Sequence, residues 1–437
     1  MRFSGTVVPL LGVAGLALGQ TVALPAHPST VILPRNLLAT PNAGAVDRVD
    51  RGRYLAAAGD CLSCHLRQGG EPFAGGLAVN TPFGVIYSAN ITPDPTTGIG
   101  GWTGDQFYHA MHDGKGAHGE NLYPAFPYTS FRHVSREDDD AIFEFLKSVP
   151  PVNYTPPKND LHFPFNIRTF LGAWNLLYLD SHGFQADPNQ SPQWNRGAYL
   201  VNGLGHCGSC HTPKNSMGAD KSAQALHGSK VDDWATPDLT SNTRVGVGQW
   251  SADDIAEFLA TGRNAHSAAG GPMADVITNS TSFMNDGDRQ AIAVYLKSQP
   301  ASPDSPPVAP DAGTMRRGAE IYSDACSSCH LSDGAGQSRI FPPLGKDAML
   351  QQSDPSGVEH LILAGTQIGV SAARPSALTM PSFAWKLTDQ EIADVSTYIR
   401  NSWGNQASAV PAADVGALRK KLGLQTVRLT ENSGDQP

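Results

Sequence analysis

Apolar residues in this chain recur mostly at the three-to-four spacing of a helix face rather than in the alternation of a strand. Three stretches begin alike, as Arg51-Gly-Arg-Tyr54, Arg196-Gly-Ala-Tyr199 and Arg317-Gly-Ala-Glu-Ile-Tyr322. Tyr54, Leu55 and Ala58 fall on one helical face, as do Tyr199, Leu200 and Gly203. Each stretch is answered downstream by an amphipathic helix, expected over Asp138 to Lys147, Asp286 to Lys297 and Asp389 to Arg400. Ile142, Phe143, Phe145 and Leu146, and likewise Ile292, Val294, Tyr295 and Leu296, keep the helical period, and the acidic residues at each start suit the helix dipole. A lead-in repeated in this way means one unit used three times, over residues 46–150, 190–300 and 311–404. Prolines at 150–151 and 156–157 and through 300–310 are too dense for helix or central strand. They mark linkers over 151–189 and 301–310, with a tail over 405–437.

Two apolar runs stand outside this pattern. Val7 to Leu18, after Arg2 and before the small residues Ala23 and Ala26, reads as a secretory leader over residues 1–26. Between Phe163 and Leu179 the chain carries Phe163, Phe165, Phe170, Leu171, Trp174, Leu176, Leu177 and Tyr178 with a single charge, Arg168. That segment either packs between units or faces a partner or a membrane surface. Beyond residue 30 no apolar run approaches the roughly 20 residues needed to cross a bilayer, which implies a soluble or peripheral protein. In the tail, Arg419, Lys420 and Lys421 are expected to be solvated or to touch a partner or lipid head groups.

The chemistry lies in Cys61-Leu-Ser-Cys64-His65, Cys207-Gly-Ser-Cys210-His211 and Cys326-Ser-Ser-Cys329-His330, which use all six cysteines. Two thiols three positions apart can each add to one vinyl group of a porphyrin, and the adjoining histidine then reaches the iron as proximal ligand. A structural zinc site would need a second pair of ligands for each metal, and a redox dithiol would not need the histidine. The expectation is three covalently bound haem c groups in a mostly α chain of three tandem cytochrome c domains. Attachment of c-type haem takes place outside the cytoplasm, in keeping with the leader. The 437 residues, 40% of them apolar, suffice for three cores, and the net charge of −9 argues against a nucleic-acid partner.

What occupies the far side of each iron sets its potential. Unit three offers Met380, in Leu378-Thr-Met-Pro-Ser-Phe383, in preference to Met349, which suits a core position. In unit two Met273, in a loop 273 − 211 = 62 residues after its histidine, is preferred to Met284, which abuts the closing helix, and to Met217, which is too near His211. Unit one departs from both. Phe126 stands 126 − 65 = 61 residues after its histidine, where the sulfur is expected, and has no lone pair to give. Met111 and a crowd of histidines, His109, His112, His118 and His133, leave three arrangements open: bis-histidine, histidine–methionine through Met111, or no protein sixth ligand.

Asn90-Ile-Thr-Pro-Asp94 with Gly98-Ile-Gly-Gly-Trp102, Leu122-Tyr-Pro-Ala-Phe-Pro-Tyr-Thr-Ser130, Pro237-Asp-Leu-Thr240, Thr261-Gly-Arg-Asn-Ala-His-Ser267, and Met380-Pro-Ser-Phe-Ala-Trp385 with Tyr398-Ile-Arg-Asn-Ser-Trp403 run through most of the chain. Together they resemble the tri-haem cytochrome c subunits of membrane-associated periplasmic dehydrogenases of acetic acid bacteria and relatives. The resemblance implies a non-catalytic electron-transfer subunit that takes electrons from a large catalytic dehydrogenase subunit and delivers them to ubiquinone. That partner would be a quinoprotein, a flavoprotein or a molybdenum enzyme. It also implies a periplasmic location with peripheral attachment to the outer face of the cytoplasmic membrane. Members of that family usually carry methionine where this chain has Phe126. No nucleophile with a base, paired carboxylates or dinucleotide glycine motif suggests a substrate site. The rival readings are a haem peroxidase using an open first haem and a soluble multi-haem shuttle.

Overall fold

The computed structural model describes residues 47–180, 182–304 and 307–426; the expected leader over 1–26 lies outside them. The chain is mostly helical, with three short antiparallel sheets among the described residues. Three crossed helix pairs organise it. The lead helices Arg48–Ala58, Pro192–Tyr199 and Ala312–Ala325 pack against the closing helices Arg136–Ser148, Asp286–Lys297 and Asp389–Ile399. The closing helices begin where a polar side chain accepts an otherwise orphaned N–H: Ser135 from Asp138, Asn285 from Asp288, and Thr388 from Glu391 in a reciprocal capping box.

The repeated Arg-Gly of the lead-ins has a steric and an electrostatic cause. A Cβ at Gly52, Gly197 or Gly318 would collide with the backbone carbonyl of Ala141, Ala291 or Asp394, so the helices can cross this closely only at glycine. The preceding arginine ties the same pair. Arg51 donates to Asp138 at 2.9 and 2.6 Å, Arg196 to Asp288 at 2.8 and 2.8 Å, and Arg317 to Asp394 at 2.6 and 3.2 Å.

Units one and two are joined by a reciprocal clasp built on those aspartates. The Tyr54 hydroxyl donates to Asp288 at 2.5 Å and the Tyr199 hydroxyl to Asp138 at 2.6 Å, so each lead helix reaches the other unit's closing helix. Around the clasp the two units share one continuous core, from Leu55, Phe73 and Phe145 to Leu200, Leu204 and Ile292. Tyr322, displaced two positions along its lead-in, donates instead to Leu331 O of its own unit at 2.6 Å. Unit three keeps a separate core, closed by the tail helix Ala412–Lys421.

The clasp makes a testable contribution to stability. Burial raises the Asp288 carboxyl, but the hydrogen bonds from Arg196 and Tyr54 outweigh it and hold the group below the usual carboxylate range. A carboxyl lowered in the folded state contributes fully above its unfolded value, about pH 4, and loses that contribution as pH falls through the folded value. Asp288→Asn should therefore cost about 1–2 kcal/mol at neutral pH, near the lower end for charged hydrogen bonds because Arg196 is a third exposed. Thermal midpoints recorded down to about pH 2 should show the two proteins converging in acid. A constant gap would assign the loss to packing.

Units two and three meet through polar contacts. Arg339 donates to Glu257 at 2.5 and 2.9 Å, and the Gly369 N–H donates to Ala269 O at 3.2 Å. The Gly271 N–H donates to Thr366 Oγ1 at 3.0 Å, and Trp234 stacks on His360 at 4.0 Å. The tail departs from the solvated expectation. Arg419 is buried, bonded to Asp389 and to the carbonyls of Ala384 and Leu387, because it closes the core of unit three. Lys421 pairs with Asp233 of unit two at 2.5 Å.

The aromatic segment is part buried and part exposed. The helix Phe170–Tyr178 is anchored by Trp174, 7% exposed, which packs on Tyr128 and donates to Met217 O at 3.0 Å. Phe163 at 79%, Phe170 at 58%, Leu176 at 86% and Leu177 at 73% are exposed. Among the described residues no helix is long and apolar enough to cross a membrane.

Candidate haem-binding centres

Each C-x-x-C-H sits in a short helical turn directly after its lead helix. In unit one the lead helix stops at Ala58, and Asp60, with a left-handed φ of 50°, reverses the chain before Cys61–Cys64. In unit two a π-helical turn, Leu200–Leu204, separates the lead helix from Cys207. In unit three the helix runs to Ala325 without a break.

The three motif histidines share one arrangement. The Nδ1–H of His65 donates to Ala89 O at 2.7 Å, that of His211 to Pro237 O at 2.7 Å, and that of His330 to Pro342 O at 3.1 Å. Such a bond leaves Nε2 as the ring's acceptor, the state a metal-ligating imidazole needs, and sets the orientation of the ring. Burial lowers all three histidines, which favours the neutral ligand form. This is the observation that makes the residues fit a haem iron.

The thiols agree with that fit. All six cysteines are free of disulfides. Burial raises Cys61 and Cys207 to about 12 and Cys326 to about 11, so these thiols lack the low-pKa thiolate of a redox dithiol. No group of three or more histidine, cysteine or acidic residues that could hold a metal ion occurs among the described residues.

The backbone acceptors were not singled out from sequence, although their signal was there. Ala89 precedes Asn90-Ile-Thr-Pro-Asp94, and Pro237 opens Pro237-Asp-Leu-Thr240. These motifs hold the acceptor loops in place. Asn90 donates to the carbonyls of Val152 and Tyr154, and Asp94 accepts from Thr96 and Thr97. Asp238 accepts from the Thr240 N–H at 2.5 Å.

The sixth-ligand candidates occupy different settings. Met380 lies on a two-residue strand, Thr379–Met380, paired with Thr366–Gln367 and half-buried against the core of unit three. Met349 also packs against that core, and Met217 is exposed. Met273 is half-buried in the first turn of a helix, Pro272–Asn279, and not in a loop as expected; Gly271, at φ 55°, turns the chain into Pro272, a residue suited to a first helical turn. Met284 is buried in the shared core.

In unit one Phe126 is half-buried, with its ring 5.4 Å from that of Phe131. Met111 is buried in the shared core on the helix Gly104–Asp113. His109 pairs with Asp113 at 2.7 Å and His112 with the buried Asp139 at 2.7 Å, while His118 is exposed. His133 is half-buried, and burial lowers it.

The chain is similar to one family model and to three kinds of dehydrogenase cytochrome subunit. A family model described as cytochrome c matches residues 315–403. The chain is 42% identical over 410 residues to the gluconate 2-dehydrogenase cytochrome c subunit of Pantoea cypripedii, covering 89% of this chain and 92% of that one. It is 40% identical over 391 residues to the cytochrome c subunit of the quinone alcohol dehydrogenase of Gluconobacter oxydans, covering 85% and 82%. It is 36% identical over 415 residues to the fructose dehydrogenase cytochrome subunit of Gluconobacter japonicus, covering 87% and 84%.

Proposed function

Since the chain belongs to the family of cytochrome c subunits of gluconate, alcohol and fructose dehydrogenases, we propose that it is a tri-haem electron-transfer subunit passing electrons from a catalytic dehydrogenase subunit to ubiquinone. The observation that carries the reading is the threefold C-x-x-C-H with each histidine bonded through Nδ1 to a backbone carbonyl. When bound, haem c supplies one-electron iron chemistry. In this proposal Cys61 and Cys64, Cys207 and Cys210, and Cys326 and Cys329 hold the three porphyrins. His65, His211 and His330 are the proximal ligands, with Met273 and Met380 as sixth ligands in units two and three.

The protein's part is spacing and potential. Unit two is the middle of the wire. His206, beside Cys207, reaches Gly59 O of unit one at 3.3 Å. The Gly271 N–H meets Thr366 of unit three, whose strand pairs with Met380. Contact of this kind keeps successive centres close.

The proposed location is the periplasmic face of the cytoplasmic membrane, held peripherally through Phe163, Phe170, Leu176 and Leu177, whose exposure supports a surface that is covered in the working complex. The test is Phe170→Ser, Leu176→Ser and Leu177→Ser together, leaving the buried Trp174 intact. Membrane retention and ubiquinone reduction should be lost while haem content and co-purification with the catalytic subunit persist. Retention of both properties would sink the membrane assignment. Failure of the unmodified chain to co-purify with any dehydrogenase would sink the function.

A further inference from the structure

Arg263 is 4% exposed, yet its charge meets no carboxylate among the described residues. Its Nη1 donates to Arg339 O at 3.2 Å and its Nη2 to Ser376 O at 3.1 Å, while its Nε, also buried, has no partner. The charge felt most strongly from nearby is the like charge of Arg374. A buried guanidinium with an unused N–H and no counter-ion is costly, and structures retain one where an anion completes it.

The position recurs. The helix Ala252–Thr261 ends on Gly262, at φ 73°, and Arg263 follows, bridged to Ala268. In unit one the helix Gly104–Asp113 ends on Gly114, at φ 59°, and Lys115 follows, bridged to Asn121. Lys115 donates to the neutral Asn121 side chain at 2.5 Å. The two cations precede Met273 and Phe126 by nearly the same number of residues, 273 − 263 = 10 and 126 − 115 = 11. In unit three the residue after the helix-ending Gly365 is the neutral Thr366.

We propose that Arg263 and Lys115 each bind a propionate carboxylate of their own unit's haem. The inference rests on the haem reading above. A porphyrin held by Cys207 and Cys210 brings two carboxylates into a unit where the buried Arg263 lacks an anion, and the same logic applies to Lys115 in unit one. Because Lys115 occupies the matching position and bonds within unit one, the interdomain bonds of Arg263 do not explain why a cation stands there. A cation beside a propionate disfavours the more positive ferric state, so it raises the potential.

Potentiometric titration of the full chain in its complex tests this. Arg263→Gln should lower the potential of one haem and leave the other two unmoved, and Arg263→Lys should restore it. Lys115→Gln, which alters a bond made within unit one, should lower the potential of a different haem. Potentials unmoved by both neutral variants, with thermal stability reduced only in Arg263→Gln, would overturn the inference and leave Arg263 as a strap between units two and three. A haemochrome count below three in the unmodified chain would overturn the haem reading and this inference with it. A count of three with unmoved potentials overturns this inference alone.

Discussion

Replacing Cys207 and Cys210 by alanine is expected to lower the pyridine haemochrome count from about three per chain to two and to stop electron flow from the catalytic subunit to ubiquinone, because the motif of unit two lies between the other two in the contact order. The loss should exceed that of one centre among equals. Tunnelling falls steeply with distance, and no neighbouring pair of centres would remain. Stability should fall as well, since Leu200, Leu204 and Ile292 belong to the core shared with unit one. Rapid-mixing measurement of the two remaining haems would then show one reduced by substrate and the other left oxidised. An unchanged haem count would end the covalent assignment, and undiminished quinone reduction would end the serial order.

Phe126→Met should raise the potential of a single haem, on the order of a tenth of a volt or more, and add sulfur-to-iron absorption in the near infrared of the oxidised protein. The site should accept the change without crowding. Phe126 is half-buried against Phe131, and methionine is smaller and flexible. In the unmodified protein that haem should stand apart from the other two, either low-spin with the lowest potential through a histidine or partly high-spin and able to bind cyanide or carbon monoxide. In the second case the substitution should suppress exogenous ligand binding. Three indistinguishable histidine–methionine haems in the unmodified protein would point to Met111 and remove the reason for treating unit one as special.

The places where sequence reading succeeded and failed divide along a physical line. The closing helices were legible because their signals are local: an apolar face at helical spacing and acidic first turns. They were found at Arg136–Ser148, Asp286–Lys297 and Asp389–Ile399, within two residues of the expected ends. The Arg-Gly lead-ins were visible as repeats, but their reason was not, since Gly52 and Arg51 answer to Ala141 and Asp138, nearly a hundred positions away. Trp174 and Leu176 look alike in an apolar run. One is inside and the other outside only because Tyr128 and Met217 cover one face of their helix. Arg419 read as part of a basic tail, and its burial depends on the carbonyls left open at Ala384 and Leu387.

By itself the sequence determined the helical class, the threefold recurrence of the arginine-glycine lead-in and the threefold C-x-x-C-H, because these reside in periodicity and in spacings of a few residues. The tertiary structure alone decided that Tyr54 and Tyr199 exchange partners across units one and two, that backbone carbonyls orient all three histidines, and that Arg263 is buried with no carboxylate partner among the described residues. Each of these turns on groups distant in the chain meeting at hydrogen-bond range, where burial sets the energy of a contact that no local pattern records.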